Sequence, residues 1–266
     1  MYVKSSKYLD THFLIFLKCM LMNDRLVEAH VKGARMNATD NATHADAESS
    51  TEAKWRRNAS RHTRCVMVLP DDLAGKRVLD IECRKGLGAF KIADRVGEGG
   101  FVVGTDSSAE KIAAAQELAP QQHWAGDAWR QHMRLVQADP TDLLAAGIED
   151  ASIDVIVVNS VINFASDRLK AFSEIARVLA PGGYLYHDAV LALQPLPPLS
   201  KAGPPAPVAN VFATAPTKEE LVRILQEAGF SSWEFLNEQP LEPQREDAIE
   251  SLSGLTFESA VVRAFA

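Results

Sequence analysis

The sequence predicts an α/β protein with a doubly wound, mainly parallel sheet, and three observations predict it. Short apolar runs of strand length alternate with amphipathic stretches of helix length from residue 77 onward. Helix-start signals follow several of these runs, and Asp80, Asp106, Asp139 and Asn159 stand where four of them end. Strict alternation implies right-handed crossovers and a ligand crevice beyond the carboxyl ends of the strands. Four polar residues at such ends suit a nucleotide-like ligand better than core packing.

Arg77-Val78-Leu79-Asp80-Ile81 reads as a buried parallel strand, followed by a helix through Ala89 to Val96 and a stop at Gly99-Gly100. Phe101 to Asp106 is a second buried strand. Ser107-Ser108-Ala109-Glu110 has capping-box spacing and opens a helix to about Leu118. A third strand is expected over 133–138 and a fourth over 153–158. Ser166 is expected to cap a helix whose Leu169, Phe172, Ile175, Ala176 and Leu179 recur at helical spacing, closed by Pro181-Gly182-Gly183. Tyr184 to Leu191 is a fifth strand. Six prolines between 195 and 207 then break regular structure, so 194–216 reads as a proline-rich loop or lid. Thr217-Lys218-Glu219-Glu220 is a second capping box, opening a helix with Leu221, Ile224 and Leu225 inward and Gly229 past its end. A strand near Trp233 and another over Thr256 to Phe265 complete seven.

A chain of 266 residues, 47% hydrophobic, can bury one substantial core, placed here at 61–266. Residues 1–60 read as a helical extension and a flexible linker, because 37–60 are too polar to offset their ordering entropy. Three Asn-x-Ser/Thr triplets there, at Asn37, Asn41 and Asn58, are what such a composition produces by chance. A net charge of −7 argues against nucleic acid and for a small-molecule partner. The apolar stretch from His12 to Met22 is too short to span a bilayer. Cys19, Cys65 and Cys83 have neither disulfide-framework nor zinc-ligand spacing, so a reducing, cytoplasmic setting and no metal are expected. The expected state is a monomer or weak dimer.

Asp80 to Gly88, then Asp106, Asn159 and Arg177-Val178-Leu179-Ala180-Pro181-Gly182-Gly183 form an ordered set that resembles class I S-adenosylmethionine-dependent methyltransferases. Gly75 to Asp80, Asn159-Ser160-Val161-Ile162-Asn163, Glu174 to Leu179 and Phe257 to Phe265 are similar, within that group, to arsenite methyltransferases. The resemblance implies a Rossmann-like, seven-stranded sheet with a last antiparallel strand, and S-adenosylmethionine as cofactor. It implies cofactor contacts from Asp80, Glu82, Cys83, Gly86, Asp106, Ser107, Asp139 and Asn159. Asp106 would take the ribose hydroxyls, because a carboxylate accepts two charge-assisted hydrogen bonds from a vicinal diol. Asp139 would lie beside the adenine, and Asn159 and Ser160 would face the methyl group or acceptor.

Two departures bear on the chemistry. The glycine positions of the turn after the first strand fall on Glu82 and Arg84, with Gly86 alone in register. A non-glycine held at positive φ costs about 1–2 kcal/mol. Glu82 would repel the methionine carboxylate, whereas Arg84 or Lys85 would pair with it. Of the positions where arsenite methyltransferases carry cysteine, Cys65 keeps a thiol, while Lys76 and Ser160 do not. Cys83 reads as a packing residue. His187 is the preferred candidate base, ahead of His123 and His132, and Trp124 and Trp129 read as packing before the third strand. Three functions follow: a methyltransferase acting on a small-molecule acceptor, a catalytically inactive relative used for binding or scaffolding, and an arsenite methyltransferase relying on Cys65.

Overall fold

The computed structural model describes residues 68–122, 126–197, 211–242 and 252–266. All of them fall in one compact unit, Met67–Ala266. The expected extension and linker at 1–60, Cys65, His123, Trp124 and residues 198–210 of the proline-rich stretch lie outside the described residues.

Among the described residues one sheet of seven strands runs β3-β2-β1-β4-β5-β7-β6. Its strands are β1 (Arg77–Ile81), β2 (Phe101–Asp106), β3 (Met133–Gln137), β4 (Ile153–Asn159), β5 (Leu179–Ala192), β6 (Ser232–Leu241) and β7 (Phe257–Phe265). β1 to β5 pair in parallel, and β7 runs antiparallel to both β5 and β6 between them. The last strand is therefore antiparallel but internal. Strand order reverses between β1 and β4, the switch point at which such sheets open a crevice.

Helices α1 (Leu87–Val96) and α2 (Ala109–Leu118) cover one face, where Ala89, Phe90, Ile92 and Ile112 pack with Val78, Val155 and Val157. Helices α3 (Arg168–Val178) and α4 (Lys218–Glu227) cover the other, where Phe172, Ile175, Leu221 and Leu225 pack with Leu79, Ile156 and Leu185. Burial on both faces explains why the central strands read as continuous apolar runs. The β3–β4 connection has no α-helix. Glu174 of α3 accepts the N–H groups of Leu143 and Leu144 at 2.8 and 3.2 Å, so α3 fixes that connection directly.

Three local expectations shift. The cap of α2 is Ser108, accepting from Lys111 N, so the box written on Ser107 and Glu110 does not form. Asp167, not Ser166, caps α3 by accepting from Lys170 N. That helix ends at Val178, and Pro181-Gly182-Gly183 lies inside β5, where a Cβ on Gly183 would stand 2.8 Å from the Asp154 carbonyl. The Thr217–Glu220 box forms in both directions, at 3.2 and 3.0 Å. The C-terminal part of the expected loop packs: Val211, Phe212 and Ala215 join Val190, Ala192 and Phe257 in a satellite core.

Candidate active site at the carboxyl ends of β1, β2, β4 and β5

The turn from β1 into α1 uses three left-handed residues, Glu82 (φ 58°), Arg84 (φ 55°) and Gly86 (φ 84°). The backbone path of a glycine bed persists although two of its residues carry long side chains. Cys83 N donates to Thr105 O at 2.7 Å and Gly86 N to Cys83 O at 2.9 Å, which ties the turn to β2. Gly86 is required twice over, by its φ and because a Cβ would meet Phe90 at 2.8 Å and Ala115 at 3.0 Å. It precedes α1 with no side-chain cap, so side chains leave the first-turn N–H groups of that helix open to an anion.

Asp80 is buried on β1, and neither of its oxygens has a hydrogen-bond partner. Burial, with the Asp106 carboxylate nearby, pushes its carboxyl up to about 8. An unpaired carboxylate in such a place is costly unless something completes it. Asp106 differs. Its Oδ2 accepts the Arg84 N–H at 3.0 Å, its Oδ1 accepts the Ser108 N–H at 2.9 Å, and Lys111 Nζ lies 3.3 Å from Oδ1, leaving the side chain no exposed surface. Glu82 crosses from the end of β1 to accept the Ser107 N–H at 3.3 Å. Burial and Asp106 push its carboxyl above the usual range, opposed by Ser107 and Lys111. Arg84 is solvent-exposed.

A methyltransferase domain model matches residues 72–229, over half of the chain, and spans this turn and the carboxyl ends of β1, β2, β4 and β5. The chain belongs to the methyltransferase domain family. An arsenite methyltransferase of Aquipseudomonas alcaligenes is 32% identical over 59% of this chain and 47% of its own length. The Homo sapiens arsenite methyltransferase is 29% identical over 52% of this chain and 37% of its own. The chain thus spans less than half the length of these relatives. The crystal structure of an arsenic(III) S-adenosylmethionine methyltransferase from Chlamydomonas reinhardtii superposes with a TM-score of 0.68 at 27% identity, covering 86% of this chain and 75% of the other. The fold is the Rossmann-like class I methyltransferase fold.

Within this methyltransferase domain the remaining expected residues divide by sheet face. Asn159 pairs in register with Asp188 of β5, and strand alternation sends both toward the α1–α2 face, as it does Asp80. His187 points the opposite way, into the core against Phe172 at 6.0 Å. It is buried, and that burial holds its imidazole down to about 4, so it is neutral at pH 7. Ser160 donates to Asp188 O at 2.9 Å and accepts from Val190 N at 2.8 Å, joining β4 to β5. Asp139 is exposed and accepts both the N–H and the hydroxyl of Thr141, at 2.8 and 2.7 Å, which hold its carboxyl below the usual range. Ser107 is exposed, and the buried Cys83 thiol is pushed up by burial and by Asp80, so it stays protonated. Trp129 is buried in a 3-10 segment before β3.

Lys111 and Asp188 escaped the sequence reading. Lys111 was findable as the third residue after the true cap, since that position on a first helical turn lies over the preceding strand end. Asp188 carried no signal beyond its place next to His187. Among the described residues no three His, Cys, Asp or Glu side chains group to hold a metal ion, and no helix is long and apolar enough to cross a membrane.

Proposed function

We propose that the chain is an S-adenosylmethionine-dependent methyltransferase, arsenite methyltransferase-like in descent, that methylates a small-molecule acceptor. The observation that carries this reading is the Asp80 carboxylate, buried with both oxygens unpaired beside a turn that keeps the glycine-bed path. The residues fit the cofactor at its amino-acid end. Asp80 would hold the ammonium, and the open N–H groups after Gly86 would hold the carboxylate. Cys83 would pack beneath it, with Ser107 and Asp139 at the nucleoside side. When bound, the cofactor supplies an electrophilic methyl group on sulfur. Asn159 and Ser160, at the end of β4, would shape the acceptor side, and alignment of the reacting pair would provide most of the rate. His187 would serve as a base only after the core around it opens, given its burial. The cytoplasmic setting, the monomer or weak dimer and the lack of a nucleic-acid partner belong to the same proposal, supported by the net charge of −7 and the cysteine pattern.

A second reading, a catalytically inactive relative used for binding or scaffolding, is favoured by one observation. Asp106 is saturated by protein donors. Calorimetry with S-adenosylmethionine separates the two: a dissociation constant below about 100 μM supports the enzyme, and no heat from folded protein at about 1 mM ligand removes it. The arsenite reading turns on Cys65, and Cys65→Ser is expected to abolish any methylated arsenic product if that thiolate holds the substrate.

A further inference from the structure

The β1–β2 end of the cleft carries one more step, which rests on the methyltransferase reading. A carboxylate has about four acceptor positions. On Asp106 they are taken by Ser108 N (2.9 Å) and Lys111 Nζ (3.3 Å) at Oδ1, and by Arg84 N (3.0 Å) and Lys111 Nζ (3.5 Å) at Oδ2. With no surface exposed, it has nothing to offer a diol.

Glu82 stands nearer the solvent at the same strand ends. Its left-handed φ of 58° carries the side chain from β1 across to the residue after β2. There the Ser107 N–H at 3.3 Å, with the Ser107 hydroxyl as a second donor, orients the carboxylate and leaves about half of its acceptor positions for a ligand. The unpaired, fully buried oxygens of Asp80, two residues earlier on β1, are an independent sign that a polar ligand lies along this strand end, with its ammonium at Asp80 and its ribose toward Glu82.

We propose that Glu82 has taken over from Asp106 the task of accepting hydrogen bonds from the vicinal ribose hydroxyls of an adenosyl ligand, and that Lys111 and the Arg84 backbone have turned Asp106 into an anchor for the turn. On this view the left-handed glutamate is the means by which the carboxylate reaches the ribose. A ligand held this way sits one carboxyl layer further from the sheet than one held by Asp106.

Titration calorimetry with S-adenosylhomocysteine and with its 2′,3′-dideoxy counterpart tests the exchange on binding alone. Glu82→Gln is expected to weaken S-adenosylhomocysteine about tenfold or more, the loss of a charge-assisted pair, and to leave the dideoxy ligand unchanged. Glu82→Asp, which keeps the charge but shortens the reach, is expected to show the same ligand-selective loss and serves if the glutamine variant unfolds. Equal affinity of wild type and both variants, or an equal penalty for both ligands, overturns the exchange while leaving the methyltransferase reading intact. Absence of binding by the folded wild type removes both.

Discussion

His187 Nδ1 lies 3.3 Å from the carbonyl oxygen of Val158, its register partner on β4, and in the buried space beyond it Nε2 has no partner. This geometry fixes the neutral tautomer with the proton on Nδ1, because only an N–H makes an attractive contact with a carbonyl.

A histidine held down to about 4 makes the fold acid-sensitive. Its folded value lies below the unfolded one, near 6.5, so its contribution is present above pH 6.5 and is lost as pH falls toward 4. Denaturant melts at pH 7 and pH 4.5 are expected to differ by roughly 2 kcal/mol from this residue, and His187→Leu should flatten that interval. An unchanged acid slope in the variant would place the sensitivity elsewhere.

Asp80 acts in the opposite sense. Its folded value of about 8 exceeds the ordinary carboxylate value, so its favourable contribution is complete below about pH 4 and fades as pH rises through 8. Asp80→Asn is expected to be more stable than wild type at pH 8 by on the order of 1–3 kcal/mol, and to bind S-adenosylmethionine at least about tenfold more weakly. Gain of stability without loss of affinity would detach Asp80 from the ligand.

Arg84 tests the backbone path by itself, since its side chain is solvent-exposed and its φ is 55°. Arg84→Gly should be neutral to about 1 kcal/mol stabilising in chemical denaturation, and Arg84→Val about 1–2 kcal/mol destabilising, because β-branching crowds the left-handed region. At Gly86 both the φ of 84° and the 2.8 Å approach to Phe90 forbid a methyl group. Gly86→Ala is expected to cost about 2 kcal/mol or more.

Ser160 closes a bridge between two parallel strands through its hydroxyl. Ser160→Ala should destabilise by about 1–2 kcal/mol in equilibrium unfolding. Loss of acceptor turnover at unchanged cofactor affinity would add a direct part in acceptor binding.

The strands were legible because β1, β2 and β4 are buried on both faces, leaving residues such as Val155, Ile156 and Val157 no polar alternation to obscure them. The Thr217–Glu220 cap was legible because its two partners lie three residues apart. Adjacent polar residues defeat that logic. Ser107 and Ser108, like Ser166 and Asp167, offer two caps one residue apart, and the choice depends on how the strand delivers the chain. The site was legible as a row of strand ends, not as a set of contacts. The left-handed backbone at Glu82 and Arg84 was signalled only by the glycine positions they occupy, not by the residues themselves, and the saturation of Asp106 depends on a lysine reaching back from the helix. The inward turn of His187 follows from counting along β5 from Leu185, which was possible only once the strand's packing face was known.

The antiparallel β7 lies between β5 and β6 although it follows both in the chain. During synthesis the edge of β5 that β7 covers has no mate until Phe257–Phe265 has been made. An unmet strand edge of this length is a template for pairing with other nascent chains. Chaperone dependence of expression should therefore track the delay between translation of β5 and β7, and slow codons in that interval should lower soluble yield without altering the finished protein.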